Sequence, residues 1–188
     1  MTMPPAPDIA AMSLAEVAQA LADKRLPPVE RWTPTHCGDS EMRIARDGTW
    51  YHMGSPIGRE AMVRLFSTIL RREADGGFVL VTPVEKLDIV VEDAPFIAVA
   101  MRQEGSGREQ RLIFQTNLGE LVALDQAHPL RIVAGDDGPR PYLTVRPGLE
   151  ARLARPVYYE LAAMALADDA GGAPGVWSAG HFFPLEPQ

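Results

Sequence analysis

Gly48-Thr-Trp-Tyr-His-Met53 opens a stretch, running to Phe96, on which the reading of the fold turns. The hexapeptide has the composition of a short strand, Gly54-Ser55-Pro56 is a break, and Arg59 to Glu73 has helical periodicity. Met62, Leu65, Phe66, Ile69 and Leu70 fall at i, i+3, i+4, i+7 and i+8, one apolar stripe. Ser55 is placed to cap the free amides, Pro56 suits the first helical position, and Arg71 and Arg72 suit the negative end of the helix dipole. Gly76 and Gly77 stop the helix. Phe78-Val-Leu-Val-Thr82 and Leu87-Asp-Ile-Val-Val91 then read as strands on either side of Pro83-Val84-Glu85-Lys86. Proline donates no amide hydrogen, so the chain lies at an edge or bends at Thr82-Pro83.

Upstream, residues 1 to 8 are proline-rich and expected to be disordered. Ser13 with Glu16 three residues on is a capping box opening a helix to about Lys24, with Leu14, Val17, Ala18 and Leu21 on one face. Glu30 to Ser40 reads as a loop, and Met42 to Arg46 as a strand paired with Thr49 to Met53 across the tight turn Asp47-Gly48. Downstream, Phe96 to Gln103, Glu109 to Thr116 and Glu120 to Leu124 form an antiparallel meander. Leu130 to Ala134, Pro141 to Val145 and Leu149 to Leu153 are further strands, Pro156 to about Asp168 a helix, and Val176 to Phe183 a last strand. The expected fold is α+β in two similar halves, each a hairpin, a helix and further antiparallel strands. The divisions are 1–29 for the N-terminal tail and helix, then 30–103 and 104–188.

An offset of 100 residues supports the two halves. It pairs Gly38 with Gly138, Arg46 with Arg146, Gly48 with Gly148, Pro56 with Pro156 and Glu60 with Glu160. Either the chain carries a diverged duplication, or two hairpin-helix units merely share turn glycines and helix-starting prolines.

With 46 % apolar and 23 % charged residues, the composition is that of a globular chain able to build a core. The net charge of −7 argues against an electrostatic nucleic-acid or anionic-membrane binder, while leaving room for a local basic patch. Cys37 stands alone, so no internal disulfide forms and a reducing compartment suits the chain. No leader-like N-terminus and no membrane-length apolar run is present, and the expected location is the cytoplasm.

No nucleophile elbow, Walker loop, zincin helix or dinucleotide fingerprint occurs. The richest polar cluster is Thr82, Glu85 and Lys86 with Asp88, Glu92 and Asp93 beside the proline break. Such groups orient a ligand or move protons where burial shifts their pKa values; as a solvated edge they instead resist sheet-to-sheet aggregation. Arg59, at a helix start, needs an acidic partner or an anion. The candidate ligand-binding residues are therefore Arg59, Thr82, Glu85, Lys86 and Asp93, for an anionic or zwitterionic small molecule. His36, Cys37, Asp39 and His52 meet as metal ligands only if the loop folds back on the hairpin, and no metal or cofactor is expected.

Asp47-Gly-Thr-Trp50, Pro56-Ile57-Gly-Arg59, Leu65-Phe66-Ser67, the string Asp75 to Lys86, Glu92-Asp93-Ala94-Pro95-Phe96, Thr116-Asn117-Leu118-Gly119, Pro141-Tyr142 and Gly148-Leu149-Glu150-Ala151 resemble a bacterial family, domain of unknown function 1285. The resemblance runs from about Trp32 to Leu166. It implies a soluble α+β protein with a repeated unit, no established activity and at most a suspected role in signalling or small-molecule binding. It supplies no catalytic residues. The leading expectation is a cytosolic binding or signalling module. The rivals are an enzyme with Glu85 or Asp93 as general base near His52, and a homo-oligomer built through edge strands.

Overall fold

The computed structural model describes residues 8–23, 26–167 and 172–187, so the expectations for residues 1–7 and for a helix end at Lys24 lie outside the described residues. The protein is α+β, and its described residues form two six-stranded curled sheets, a two-stranded sheet and three α-helices. Helix α1 (Leu14–Ala22) starts in the capping box expected of Ser13 and Glu16: each side chain accepts from the other's backbone amide, at 3.2 and 2.7 Å.

The first sheet holds β1 (His36–Ile44), β2 (Trp50–His52), β3 (Ser55–Pro56), β4 (Leu70–Arg72), β5 (Phe78–Val81) and β6 (Glu85–Val91), in the order β3-β2-β1-β6-β5-β4. The second holds β7 (Phe96–Glu104), β8 (Arg111–Thr116), β9 (Leu121–Ala123), β10 (Leu130–Val133), β11 (Arg140–Arg146) and β12 (Leu149–Leu153), in the order β10-β11-β12-β7-β8-β9. Read from its other edge, the first order becomes fourth-fifth-sixth-first-second-third strand, the same as the second. Each sheet is two antiparallel three-stranded meanders joined at the centre by a parallel pair, β1 with β6 and β12 with β7.

The similarity of the halves therefore lies in the sheets, and the 100-residue offset does not describe it. That offset lays the hairpin of the first and second strands, β1–β2, on that of the fifth and sixth, β11–β12. It also equates α2 (Glu60–Thr68), inserted after a third strand, with α3 (Arg155–Ala167), which follows a sixth. The shared turn glycines are shared because both hairpins need left-handed backbone there, with φ of 87° at Gly48 and 72° at Gly148.

Other local expectations change for identifiable reasons. Ser55 and Pro56 cap nothing; they pair with β2, and Arg59 occupies the position before α2 without a side-chain cap bond. The helix ends at Thr68, because Leu70 to Arg72 turn into β4 and pair with Leu80 to Phe78. Its buried side is Val63 and Ser67, with Phe66 half-buried, while Met62 and Leu65 face solvent. In α1, Val17 is buried and Leu14 exposed. Part of the expected loop at 30–40 is strand, since β1 begins at His36 and runs parallel to β6 from the pair His36 and Glu85. Thr82-Pro83 is the turn of the β5–β6 hairpin, closed by the Thr82 amide donating to the Glu85 carbonyl at 2.9 Å, so the proline breaks no ladder. The last strand is instead a hairpin of β13 (Gly175–Ser178) and β14 (His181–Pro184), turning where Ala179 and Gly180 have φ of 51° and 76°.

One apolar core runs through both halves, from Ile44, Trp50 and Leu80 through Phe96 and Phe114 to Leu143, Leu161 and Phe183. Strand β8 is covered on both faces: Leu112 and Phe114 join that core, and Ile113 packs on the opposite side with Val17 of α1. Among the described residues, no helix is long and apolar enough to cross a membrane.

Candidate functional site

Alternation along three strands builds the most chemically distinctive surface. In β10, β11 and β12 the residues Leu130, Ile132, Leu143, Leu149, Ala151 and Leu153 enter the core, so their neighbours in sequence face the other way. The register sets Arg131 opposite Tyr142, and Tyr142 opposite Arg152, in one row across the three strands. Arg140 and Glu150 stand two residues away on the same face. The Arg131 guanidinium lies over the Tyr142 ring at 4.8 Å and makes a two-pronged bond to Glu150, at 3.0 and 2.7 Å.

The link between the sheets, Glu92 to Pro95, crosses this row. Asp93 accepts the Tyr142 hydroxyl on Oδ1 at 2.7 Å and faces Arg152 Nε through Oδ2 at 3.0 Å. Arg152 also donates to the Arg46 carbonyl of the β1–β2 turn at 2.8 Å. Burial, followed by the hydrogen bond to Asp93 and the charge of that carboxylate, pushes the Tyr142 phenol up to about 12, so at neutral pH it is a donor.

Two cavities flank Asp93. The first, about 220 Å³, is lined by Arg72 and Phe78 from the first sheet and by Arg131, Arg140, Tyr142 and Glu150 from the second. The second, about 200 Å³, is lined by Arg46, Arg140, Asp137, Arg152, Arg155 and Tyr158. Asp93 and Arg140 belong to both. Six arginines thus meet three carboxylates in a chain whose net charge is −7. Arg131 and Arg152 are committed to carboxylates. Among the described residues the side chains of Arg140 and Arg155 make no ion pair or hydrogen bond. The Arg140 guanidinium packs closely on Gly135, where a Cβ would lie 2.6 Å from its Nε and, against less yielding backbone, 2.9 Å from the Gly138 carbonyl. A positioned guanidinium facing a cavity without a carboxylate partner can receive an anion.

Of the residues singled out from the sequence, Asp93 lies at this cleft and the other four do not line it. Lys86 pairs with Glu73 at 3.1 Å, and Arg71 pairs with the same carboxylate at 2.7 Å while donating to the Val29 and Trp32 carbonyls, both at 2.8 Å. The Arg71 hydrogen bond, with Lys86 adding to it, holds the Glu73 carboxyl below its ordinary range. The Thr82 hydroxyl accepts from the Val84 and Glu85 amides at 3.3 and 3.2 Å, a turn-stabilising role. His52 is level with Met42 and Ile89, four residues along β6 from Glu85, or about 13 Å at strand rise. Both Asp93 oxygens are engaged, one by a donor and one by a cation. Among the described residues no three His, Cys, Asp or Glu side chains form a metal-sized group.

The cleft arginines escaped the sequence reading, though a signal was present. Arg131, Arg140, Tyr142, Glu150 and Arg152 all occupy the outward positions of strands with apolar inward ones, and Pro141-Tyr142 and Gly148-Leu149-Glu150 carried part of the family resemblance.

Two family models cover this architecture, the N-terminal domain of DUF1285 over residues 27–94 and its C-terminal domain over 95–185. The chain belongs to the DUF1285 family. Its fold is similar to the crystal structure of a DUF1285 family protein from Silicibacter pomeroyi DSS-3, with 46 % identity over 94 % of this chain and 96 % of that one and a TM-score of 0.80. A DUF1285 family protein from Shewanella baltica OS155 is 29 % identical over 63 % of this chain and 87 % of that one, with a TM-score of 0.52. No curated protein matches the chain. The family boundary at 94/95 falls in the link that carries Asp93, where the cleft forms.

Proposed function

We propose that the protein is a cytosolic binding module that takes a small anionic or zwitterionic molecule in the arginine-lined cleft between its sheets, in a role suited to signal transduction. The observation that carries this reading is Arg140, packed on Gly135, lining both cavities and left without a carboxylate partner. Asp93, Tyr142 and Arg152 form a rigid polar frame around it, and the groups are spent on one another in a way that suits holding a ligand and not exchanging protons with it. Asp137, in the lining of the second cavity, offers a carboxylate to an ammonium group, which accommodates a zwitterion.

Isothermal titration calorimetry with inorganic phosphate at low ionic strength tests the reading. Arg140→Ala should weaken binding about tenfold or more, the scale of one charge-assisted contact, with an unchanged thermal midpoint. Unaltered binding in R140A, or loss in Arg59→Ala instead, would move the site away from the cleft. No heat with phosphate or with simple carboxylates would refute an anion site.

A further inference from the structure

Resting on the anion reading of the cleft, we infer that its two cavities are two subsites of a single site, and that the ligand class is an elongated molecule with an anionic group at each end. The inference starts from how the arginines are distributed. Arg72 belongs to the first cavity alone and Arg46 and Arg155 to the second alone, while Arg140 lines both and so stands between them. Each cavity therefore has a cation of its own, and the middle is held by a third that has no carboxylate partner. At about 220 and 200 Å³ the two cavities are similar in size, and each has room for an anionic group with bound water. A ligand that reaches both passes Arg140.

The walls differ between the two ends. The Phe78 ring lies under the Arg72 guanidinium, 5.4 Å away, and lends the first subsite an apolar floor. The second subsite opens beside the first turn of α3, whose residues Arg155 to Tyr158 include no acid, so the helix dipole adds to the charge of Arg155. Asp93, hydrogen-bonded by Tyr142 and paired with Arg152, is held back from the ligand's anionic ends. Two anionic groups joined by a linker that spans the cavities should bind as a chelate, because the second contact is made at high effective concentration once the first has formed.

The test uses defined probes on the full chain: acetate, a dicarboxylate series from malonate to adipate, orthophosphate and pyrophosphate, each followed by calorimetry. The dicarboxylates all carry two charges, so they separate spacing from total charge, and the phosphates distinguish phosphoryl from carboxylate recognition. One dicarboxylate length should bind at one per chain and at least about tenfold tighter than acetate, as expected for a chelate. Arg72→Ala and Arg155→Ala, both at exposed side chains without a hydrogen bond or ion pair among the described residues, should each bring that ligand down to the affinity of acetate. Two ligands per chain, no dependence on linker length, or indifference to either substitution would overturn the two-ended ligand while leaving a simple anion site intact. Absence of binding by every probe would remove the anion site itself.

Discussion

Tyr142 and Asp93 are the residues on which the cleft's geometry depends, and their pair makes a pH-dependent prediction. The folded phenol is pushed from 10.0 up to about 12, so folding favours the neutral form. Its contribution is complete below the unfolded value near 10 and is lost as the pH rises through 12. The urea midpoint of the parent protein should therefore fall between pH 10 and 12 more steeply than that of Tyr142→Phe; parallel curves would contradict the assignment. At neutral pH Y142F should cost about 1–3 kcal/mol, since Asp93 loses its neutral donor but keeps Arg152. Asp93 was legible as a candidate from its own polar surroundings. Its partner lies 49 residues further on, and pairing at that distance is set by strand register, which composition does not encode.

Among the elements, the C-terminal hairpin is tied to the second sheet through a buried hydroxyl, beside the Gln110 side chain's bond to the Trp177 carbonyl and the Ala179 amide's bond to the Gln110 carbonyl. Ser178, fully buried, donates to the Leu124 carbonyl at 2.7 Å and accepts from the Leu112 amide at 3.0 Å, tying β13 to the second sheet. Ser178→Ala leaves both backbone groups without this partner and should destabilise by about 1–3 kcal/mol in chemical denaturation. A neutral result would show that the apolar contacts and the bonds to Gln110 and Arg108 hold the hairpin without the hydroxyl. Helix α2 provides the converse case. Phe66 is the middle of the stripe read from the sequence, yet it is half-buried, whereas Leu70 is 1 % exposed. Leu70→Ala should cost about 2–5 kcal/mol and Phe66→Ala clearly less; the reverse order would restore the original stripe. The stripe misled because nine residues are helical and its last member belongs to a strand. Burial also turned toward Ser67, whose carbonyl receives Arg146 from the other sheet at 2.7 Å.

On the scale of the whole molecule, the two similar sheets share one core. Arg146 pairs with Glu120 at 2.7 Å while reaching α2, Arg152 reaches the Arg46 carbonyl, and the apolar core continues from one sheet to the other. Backbone amide resonances of the first and second sheets, followed through a urea titration of the parent protein, should report the same denaturation midpoint. Separate midpoints would mean that the halves unfold independently. The fold class and most strands were legible because alternation and turn residues are local signals. The parallel central pairs and the cleft were not, since both arise only when distant strands meet. The central claim is that the junction of the sheets is the binding site, and an NMR titration of arginine Nε–Hε resonances with pyrophosphate tests it most directly. The account predicts that Arg72, Arg140 and Arg155 shift together and saturate at one dissociation constant while Arg59 stays still. Shifts centred on Arg59, or scattered over the surface without saturation, would contradict it.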